Sequence, residues 1–306
     1  MKREQERRRR QVLARNGLIG TLNRRKDSPY QQIGDGDSQN GETLTYSIPY
    51  LPERFTCLSV VGCWGLQVID IKAPNLSSID VSGENIKLSL REALCMKDLR
   101  MRCPKVVCYA LAELPSIMPN LETLNLGSDD EVVNTPMLPT KFIYLKHLSI
   151  QITGETFSPS YDYFYLVSFL DASPSLETLF LDVSQEYVEH ESVFGGPSHL
   201  RQLPENRHVC LKRVEIIGFN SAKSLVELTC CIVKNAVSLE FLMLDTLRGS
   251  HIRCGKNSKK CWPISKSDLK EASRTVVAIR RFIEDEVPPT AKLSVLEPCT
   301  RCHSSG

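Results

Sequence analysis

The run Pro119-Asn120-Leu121-Glu122-Thr123-Leu124-Asn125-Leu126 sets the pattern for most of this chain, because its Leu-x-x-Leu-x-Leu core returns at four later places. The copies are Leu145-Lys146-His147-Leu148-Ser149-Ile150, Leu176-Glu177-Thr178-Leu179-Phe180-Leu181, Leu211-Lys212-Arg213-Val214-Glu215-Ile216 and Leu239-Glu240-Phe241-Leu242-Met243-Leu244. Weaker relatives stand upstream at Leu66-Gln67-Val68-Ile69-Asp70-Ile71, at Leu76-Ser77-Ser78-Ile79-Asp80-Val81 and, in part, from Phe55 to Val60. Successive side chains of an extended strand alternate between faces, so Leu124 and Leu126 point one way while Thr123 and Asn125 point the other. A lone strand of this kind has nothing to bury its leucines against. Stacked in parallel, the copies satisfy one another's backbone and bury the row, each Leu contributing on the order of 1.5 to 3 kcal/mol.

The connections carry a second periodicity. Val107, Ala110, Leu111 and Leu114 share one helical face in a segment that Pro115 and Pro119 are expected to end, and Tyr163, Phe164, Val167 and Leu170 do the same before Pro174. Ser221 is placed to cap a helix presenting Leu225, Leu228 and Ile232. The upstream relatives are only about ten residues apart, too close for a helix between each pair, so tight turns at Gly62 to Gly65 and at Ala73-Pro74-Asn75 are expected there. Near the end, Leu269, Ala272, Val276, Ile279 and Ile283 recur in steps of three and four, Ser265 with Asp268 resembles a capping box, and Pro288-Pro289 stops the helix before a last strand from Ala291 to Leu296. The sequence thus predicts an α/β leucine-rich-repeat solenoid, a curved parallel sheet with helices and irregular connections on its outer side, closed by a C-terminal capping helix. Copies from Leu121 to Leu239 begin 24, 31, 35 and 28 residues apart, so the solenoid is expected to be irregular.

Charge divides the chain. Residues 1–26 hold ten Lys or Arg against Glu4 and Glu6, a balance of +8, whereas the whole carries +2 and the remainder therefore −6. This arm, with Arg7-Arg8-Arg9-Arg10 and Arg24-Arg25-Lys26, reads as solvated and disordered; its functional readings are a nuclear import signal or a weak polyanion contact. It has no aromatic residue for base stacking, which argues against a nucleic-acid partner. Residues 27–54 read as a polar linker whose Gly34-Asp35-Gly36-Asp37 lacks the remaining ligands of a calcium loop. Residues 55–250 form the repeat domain and 251–306 the cap. No apolar run is long enough for a membrane helix and the N-terminus is too polar for a secretory signal, so a nuclear or cytoplasmic protein is expected. Its cysteines, Cys57, Cys63, Cys95, Cys108, Cys210, Cys230 and Cys231 among them, then read as small buried hydrophobes.

Motifs for chemistry are sparse. The six histidines stand outside any hydrolase or phosphate-loop pattern, and no enzyme activity is expected. Cys299-Thr300-Arg301-Cys302-His303 spells a c-type haem attachment site, but its terminal position in a non-exported chain argues against haem. Cys254 and Cys261 lie just before the capping helix, and Cys299 and Cys302 just after it. They are either four reduced thiols or the ligands of a zinc ion stapling the tail; no other cofactor is expected.

Several further stretches, Ala73-Pro74-Asn75-Leu76, Tyr161-Asp162-Tyr163-Phe164, Ser173-Pro174-Ser175-Leu176-Glu177-Thr178, Ser224-Leu225-Val226-Glu227-Leu228-Thr229 and Pro298-Cys299-Thr300-Arg301-Cys302-His303, occur together and in order with the run at Pro119. From Phe55 to His303 the chain resembles the plant F-box proteins with leucine-rich repeats, especially their cereal members. The resemblance implies the substrate-recognition part of a Skp-cullin-F-box ubiquitin ligase, in which an F-box grips the adaptor and the repeats hold a protein substrate. One departure stands out. Leu51-Pro52-Glu53 looks like the opening of an F-box, yet Arg54 to Gly65 holds Val60-Val61 and a Gly-Cys-Trp-Gly turn instead of three amphipathic helices. The F-box is therefore expected to be missing, through splicing, truncation or gene decay, which puts adaptor binding in question and leaves a stand-alone binding protein as the other reading.

Partner contacts are expected on the strand positions facing away from the leucines: Asp70, Ser78, Asp80, Thr123, Asn125, His147, Ser149, Thr178, Phe180, Arg213, Glu215, Phe241 and Met243. Phe180, Phe241 and Met243 are the expected anchors, unless the long connections fold over them.

Overall fold

The computed structural model describes residues 11–13, 44–48, 56–61, 66–72, 74–84, 86–91, 93–131, 140–153, 161–183, 190–195, 199–247 and 261–303. The arginine and lysine runs of the arm, Leu51-Pro52-Glu53, the Gly62 to Gly65 turn, Cys63 and Cys254 lie outside these residues.

Strands numbered along the chain form two sheets among the described residues. The larger has the order β1 (Gln11–Leu13), β3 (Cys57–Val61), β5 (Ser78–Ser82), β7 (Asp98–Arg102), β8 (Thr123–Ser128), β9 (His147–Ile152), β10 (Thr178–Asp182), β11 (Arg213–Ile217), β12 (Phe241–Asp245) and β13 (Lys292–Leu296). All neighbours pair in parallel except β1, which runs antiparallel to β3. Entry into each rung repeats one device. The N–H groups of Glu122 and Thr123 both donate to Lys97 O, those of Lys146 and His147 to Glu122 O, and those of Glu177 and Thr178 to Lys146 O. This shared carbonyl fixes the register before the strand begins.

The leucines lie where the pattern puts them. Leu99, Leu124, Leu148, Leu179, Val214 and Leu242 form one buried row, and Met101, Leu126, Ile150, Leu181, Ile216 and Leu244 the next. Against them pack α1 (Val106–Ile117), α2 (Val167–Ala172) with its preceding 3-10 turn Tyr163–Leu166, α3 (Lys223–Asn235) and α4 (Lys266–Phe282). Buried Ala278, Ile279 and Ile283 carry the core from α3 into the capping helix, and β13 then closes the sheet beside β12. No described helix is long and apolar enough to cross a membrane.

Four expectations are corrected. First, the run Leu66 to Ile71 is not a rung of the main sheet: β4 (Leu66–Lys72) lies between β2 (Leu44–Ile48) and β6 (Lys87–Arg91) in a separate three-stranded parallel sheet. The early units from β3 to β5 to β7 are only about twenty residues long. After one strand and its turns, the residues left can span the back only in extended form, at ~3.3 Å per residue against ~1.5 Å for a helix. Second, the strands Leu44–Ile48 and Gln11–Leu13 fall in stretches read as linker and arm, so structure begins before residue 55. Third, Pro115 does not end α1 but sits in its last turn. Fourth, the N-cap of α3 is Ala222, not Ser221; Asn220 Oδ1 accepts the Ala222 N–H at 2.9 Å, and Glu271 of α4 accepts that of Ser221 at 2.9 Å. Ser265 does cap α4, accepting the Asp268 N–H at 3.1 Å.

Candidate functional site

With leucines inward and helices behind, the sheet has one open face, and the register resolves it into three rows. Ser78, Asp98, Thr123, His147, Thr178, Arg213, Phe241 and Lys292 form the first row. Ser59, Asp80, Arg100, Asn125, Ser149, Phe180, Glu215, Met243 and Ser294 form the second. Ser82, Arg102, Gly127, Gln151, Asp182, Ile217, Asp245 and Leu296 form the third. Every expected contact residue but one stands in the first two rows. The exception is Asp70, which lies on β4 and accepts a 2.9 Å hydrogen bond from Ser89 Oγ of β6, in the other sheet. Asp98, Arg100 and Arg102 were missed because their rung, Met96-x-x-Leu99-x-Met101, replaces two of its three leucines by methionine.

The two halves of this face differ. Towards the N-terminal end it is charged, with Asp80, Asp98, Arg100 and Arg102 on adjacent rungs. Gly127 leaves room for the Arg102 stem: a Cβ there would lie 3.1 Å from Arg102 Cγ. Towards the other end, Phe180, Ile217, Phe241 and Met243 are all half-buried, so the connections do not remove them from solvent entirely. The Arg213 guanidinium carbon lies 4.2 Å from the Phe241 ring centroid, and its Nε donates to Glu215 Oε1. Phe180 flanks Glu215 in register on one side and Met243 on the other. Between the halves, His147 Nδ1 pairs with Thr178 Oγ1 at 2.7 Å, and Gln151 Nε2 donates to Asp182 Oδ2 at 3.4 Å. Aromatic rings, an adaptable thioether and a guanidinium held over a ring form the composition that anchors protein interfaces.

Away from this face, a cavity of about 290 Å³ is lined by Tyr161, Asp162, His190, Arg201, Lys223 and Glu227 among others. Its charges pair with one another. Arg201 Nε donates to the fully buried Glu227 Oε2 at 2.6 Å, its Nη2 reaches Asp162 Oδ2 at 3.2 Å, and its guanidinium carbon lies 4.5 Å from the Phe164 ring centroid.

The turns before the rungs form another surface. Leu94, Ile143, Val209 and Val237 occupy equivalent turn positions at 68%, 48%, 58% and 55% exposure, with exposed Pro119 and Pro174 in the same series. Beside them Glu122 lies between Lys97 at 2.9 Å and Lys146 at 3.5 Å. The Lys97 hydrogen bond holds the Glu122 carboxyl below its ordinary range and in turn raises the Lys97 ammonium.

Of the four tail cysteines, Cys261, Cys299 and Cys302 are brought together, with half-buried sulfurs all within 4.8 Å of one another. Cys254 lies outside the described residues. The expectation of buried cysteines holds for Cys230 and Cys231, fails for exposed Cys95, and is met only by half for Cys57, Cys108 and Cys210. Burial pushes the Cys230 thiol up to about 12 and that of Cys103, also buried, up to about 11.

A family model described as the At1g61320/AtMIF1 leucine-rich-repeat domain matches residues 41–300, from β2 to just beyond β13. No curated protein matches the chain, and no solved structure does.

Proposed function

The chain belongs to the At1g61320/AtMIF1 leucine-rich-repeat family, and from that premise we propose that it is a non-enzymatic binding module holding a protein partner on the open face of its ten-stranded sheet. The observation that carries this reading is the half-exposed cluster of Phe180, Ile217, Phe241 and Met243, with Arg213 lying over Phe241. On an otherwise polar face, a large apolar cluster topped by a cation marks an anchor. By its resemblance, the module is the substrate-recognition part of an F-box subunit of a Skp-cullin-F-box ubiquitin ligase, working in the nucleus or cytoplasm.

The alternative is a stand-alone binding protein that does not engage the adaptor. It is favoured by the position of Leu51-Pro52-Glu53 between β2, which ends at Ile48, and β3, which begins at Cys57. The described residues that follow this tripeptide begin with a strand instead of a helix, which supports reading it as something other than the opening of an F-box. Co-purification with a Skp-type adaptor separates the two readings: retention supports the ligase role, and failure under conditions that retain an F-box-bearing relative removes it for this chain.

The binding face has its own test. Affinity capture with Phe180→Ala and Phe241→Ala combined is expected to weaken partner binding about 10- to 100-fold relative to wild type, with circular dichroism unchanged. A surface control, Lys234→Ala at the end of α3, is expected to bind normally. Equal capture by the aromatic variant and the wild type would place recognition elsewhere.

A further inference from the structure

We propose that Cys261, Cys299 and Cys302 bind a zinc ion, with the His303 imidazole as fourth ligand. The three sulfurs come from two segments that flank the capping helix α4 and the last strand β13, and they converge to within 4.8 Å of one another. Around a tetrahedral zinc with ~2.3 Å bonds to sulfur, thiolates sit roughly 3.8 Å apart, so small adjustments would bring the three sulfurs onto one ion. A disulfide would take only two of the three, at ~2.05 Å. The Cys299-x-x-Cys302 turn is built to aim two sulfurs to one side: Cys299 O accepts the N–H of Cys302 at 3.3 Å and that of His303 at 3.0 Å.

The second observation is His303. Its Nε2 is buried and has no hydrogen-bond partner, which is unusual for a ring nitrogen in a folded protein. The ring stands next in sequence to Cys302 but outside the group of atoms within 4.8 Å, so it would reach the ion by a turn of its side chain. Three sulfurs and one imidazole nitrogen form a donor set that suits zinc over calcium or magnesium. On binding, each thiol gives up its proton, so about three protons leave per zinc and the filled site carries one net negative charge. The ion would tie the residue preceding α4 to the tail following β13, clamping the unit that closes the solenoid. This role is independent of the partner-binding face.

The test uses the full chain purified without chelator. About one zinc per chain is expected by elemental analysis, with X-ray absorption giving three sulfur and one nitrogen neighbours. Cobalt(II) in its place is expected to give the intense visible bands of a tetrahedral thiolate site. Cys299→Ser and Cys302→Ser are expected to lose the metal. Because these could fail to fold, the second measurement is hydrogen exchange of the wild-type chain before and after chelation: exchange is expected to rise in residues 261–303 and to stay unchanged in β7 to β9. Sub-stoichiometric zinc, or a disulfide among the three cysteines by mass spectrometry, would overturn the site. A four-sulfur shell insensitive to His303→Ala and lost in Cys254→Ser would overturn the assignment of His303.

Discussion

His208 stands 8% exposed where the irregular segment after Arg201 meets α2 and α3. Its backbone N–H donates to Asn235 O at 2.9 Å, and its Nε2 lies 3.8 Å from Asp171 Oδ1. Burial depresses its affinity for a proton, and the nearby Asp171 charge opposes this only in part. The folded state therefore holds this imidazole neutral at pH values where the unfolded chain, with an ordinary value near ~6.5, already takes up a proton. Its contribution to stability is fully present above that value and is lost as pH falls from about 6.5 towards the lowered folded value. Urea unfolding between pH ~7.5 and ~5 is expected to show wild-type stability declining on acidification, and His208→Gln declining less steeply. Parallel profiles for the two proteins would mean that His208 does not carry the dependence. Phe241 and Arg213 are each legible as open-face residues from their own rungs, but the guanidinium over the ring follows from β11 and β12 being neighbours at that register.

Among the elements, the segment from residue 199 to 210 has no regular structure, so side chains must hold it. Arg201 does much of this. Its N–H and Nε both reach the Glu227 carboxylate inside α3, and its guanidinium also meets Asp162 at the start of the 3-10 turn. Arg201→Ala leaves the Glu227 carboxylate, 0% exposed, with only the backbone donor, and a loss of about 1 to 3 kcal/mol is expected in chemical denaturation. Glu227→Gln keeps one acceptor oxygen but sets its amide NH2 against the other Arg201 donor, so a loss of similar size is expected; unchanged stability in either variant would mean that this pair does not hold the segment. The sequence shows Glu227 only as part of a stretch shared with the family it resembles and does not single out Arg201, because a buried Glu in a helix reads as one more polar position until its partner is found 26 residues away. The main-sheet rungs from β8 to β12 were legible because three aliphatic residues in a six-residue frame specify both extension and face. The early strands were less so. Leu66 to Ile71 and Leu76 to Val81 show the same period of two, and nothing local says that one lines the back of the solenoid and the other its open face. The difference comes from unit length, a property of the whole turn. The tail cysteines stand between these cases: their positions on either side of α4 were legible, but the convergence of three of them depends on β13 returning to pair with β12.

Over the whole molecule, each rung of the main sheet touches chiefly its two neighbours, so stability should be close to a sum of unit and interface terms, and damage at one end should fade with distance. The capping end offers a clean place to apply that strain. Ile279 is 1% exposed in α4, and α4 is docked by independent contacts: Glu271 accepts the Ser221 N–H, Cys230 Sγ donates to Phe282 O at 3.3 Å, and Ala278 and Ile283 join the main core. Ile279→Asp places a carboxylate in that apolar seam with no partner of opposite charge among these contacts. Desolvation of a charge exceeds what the remaining contacts return, so the cap is expected to undock, at a cost of roughly 3 kcal/mol or more. Leu242 and Leu244 on β12 then lose their outer cover, and amide exchange is expected to rise strongly in β13, less in β12, and little in β5 and β7. Self-association through the uncovered β12 edge is expected to follow in light scattering at higher concentration. A uniform rise in exchange from β3 to β13 would instead make the solenoid a single cooperative block. Graded loss would leave Phe180 on its supported rung while Phe241 and Met243 are loosened, so partner binding in Ile279→Asp should weaken through the C-terminal half of the open face before the charged N-terminal half is disturbed.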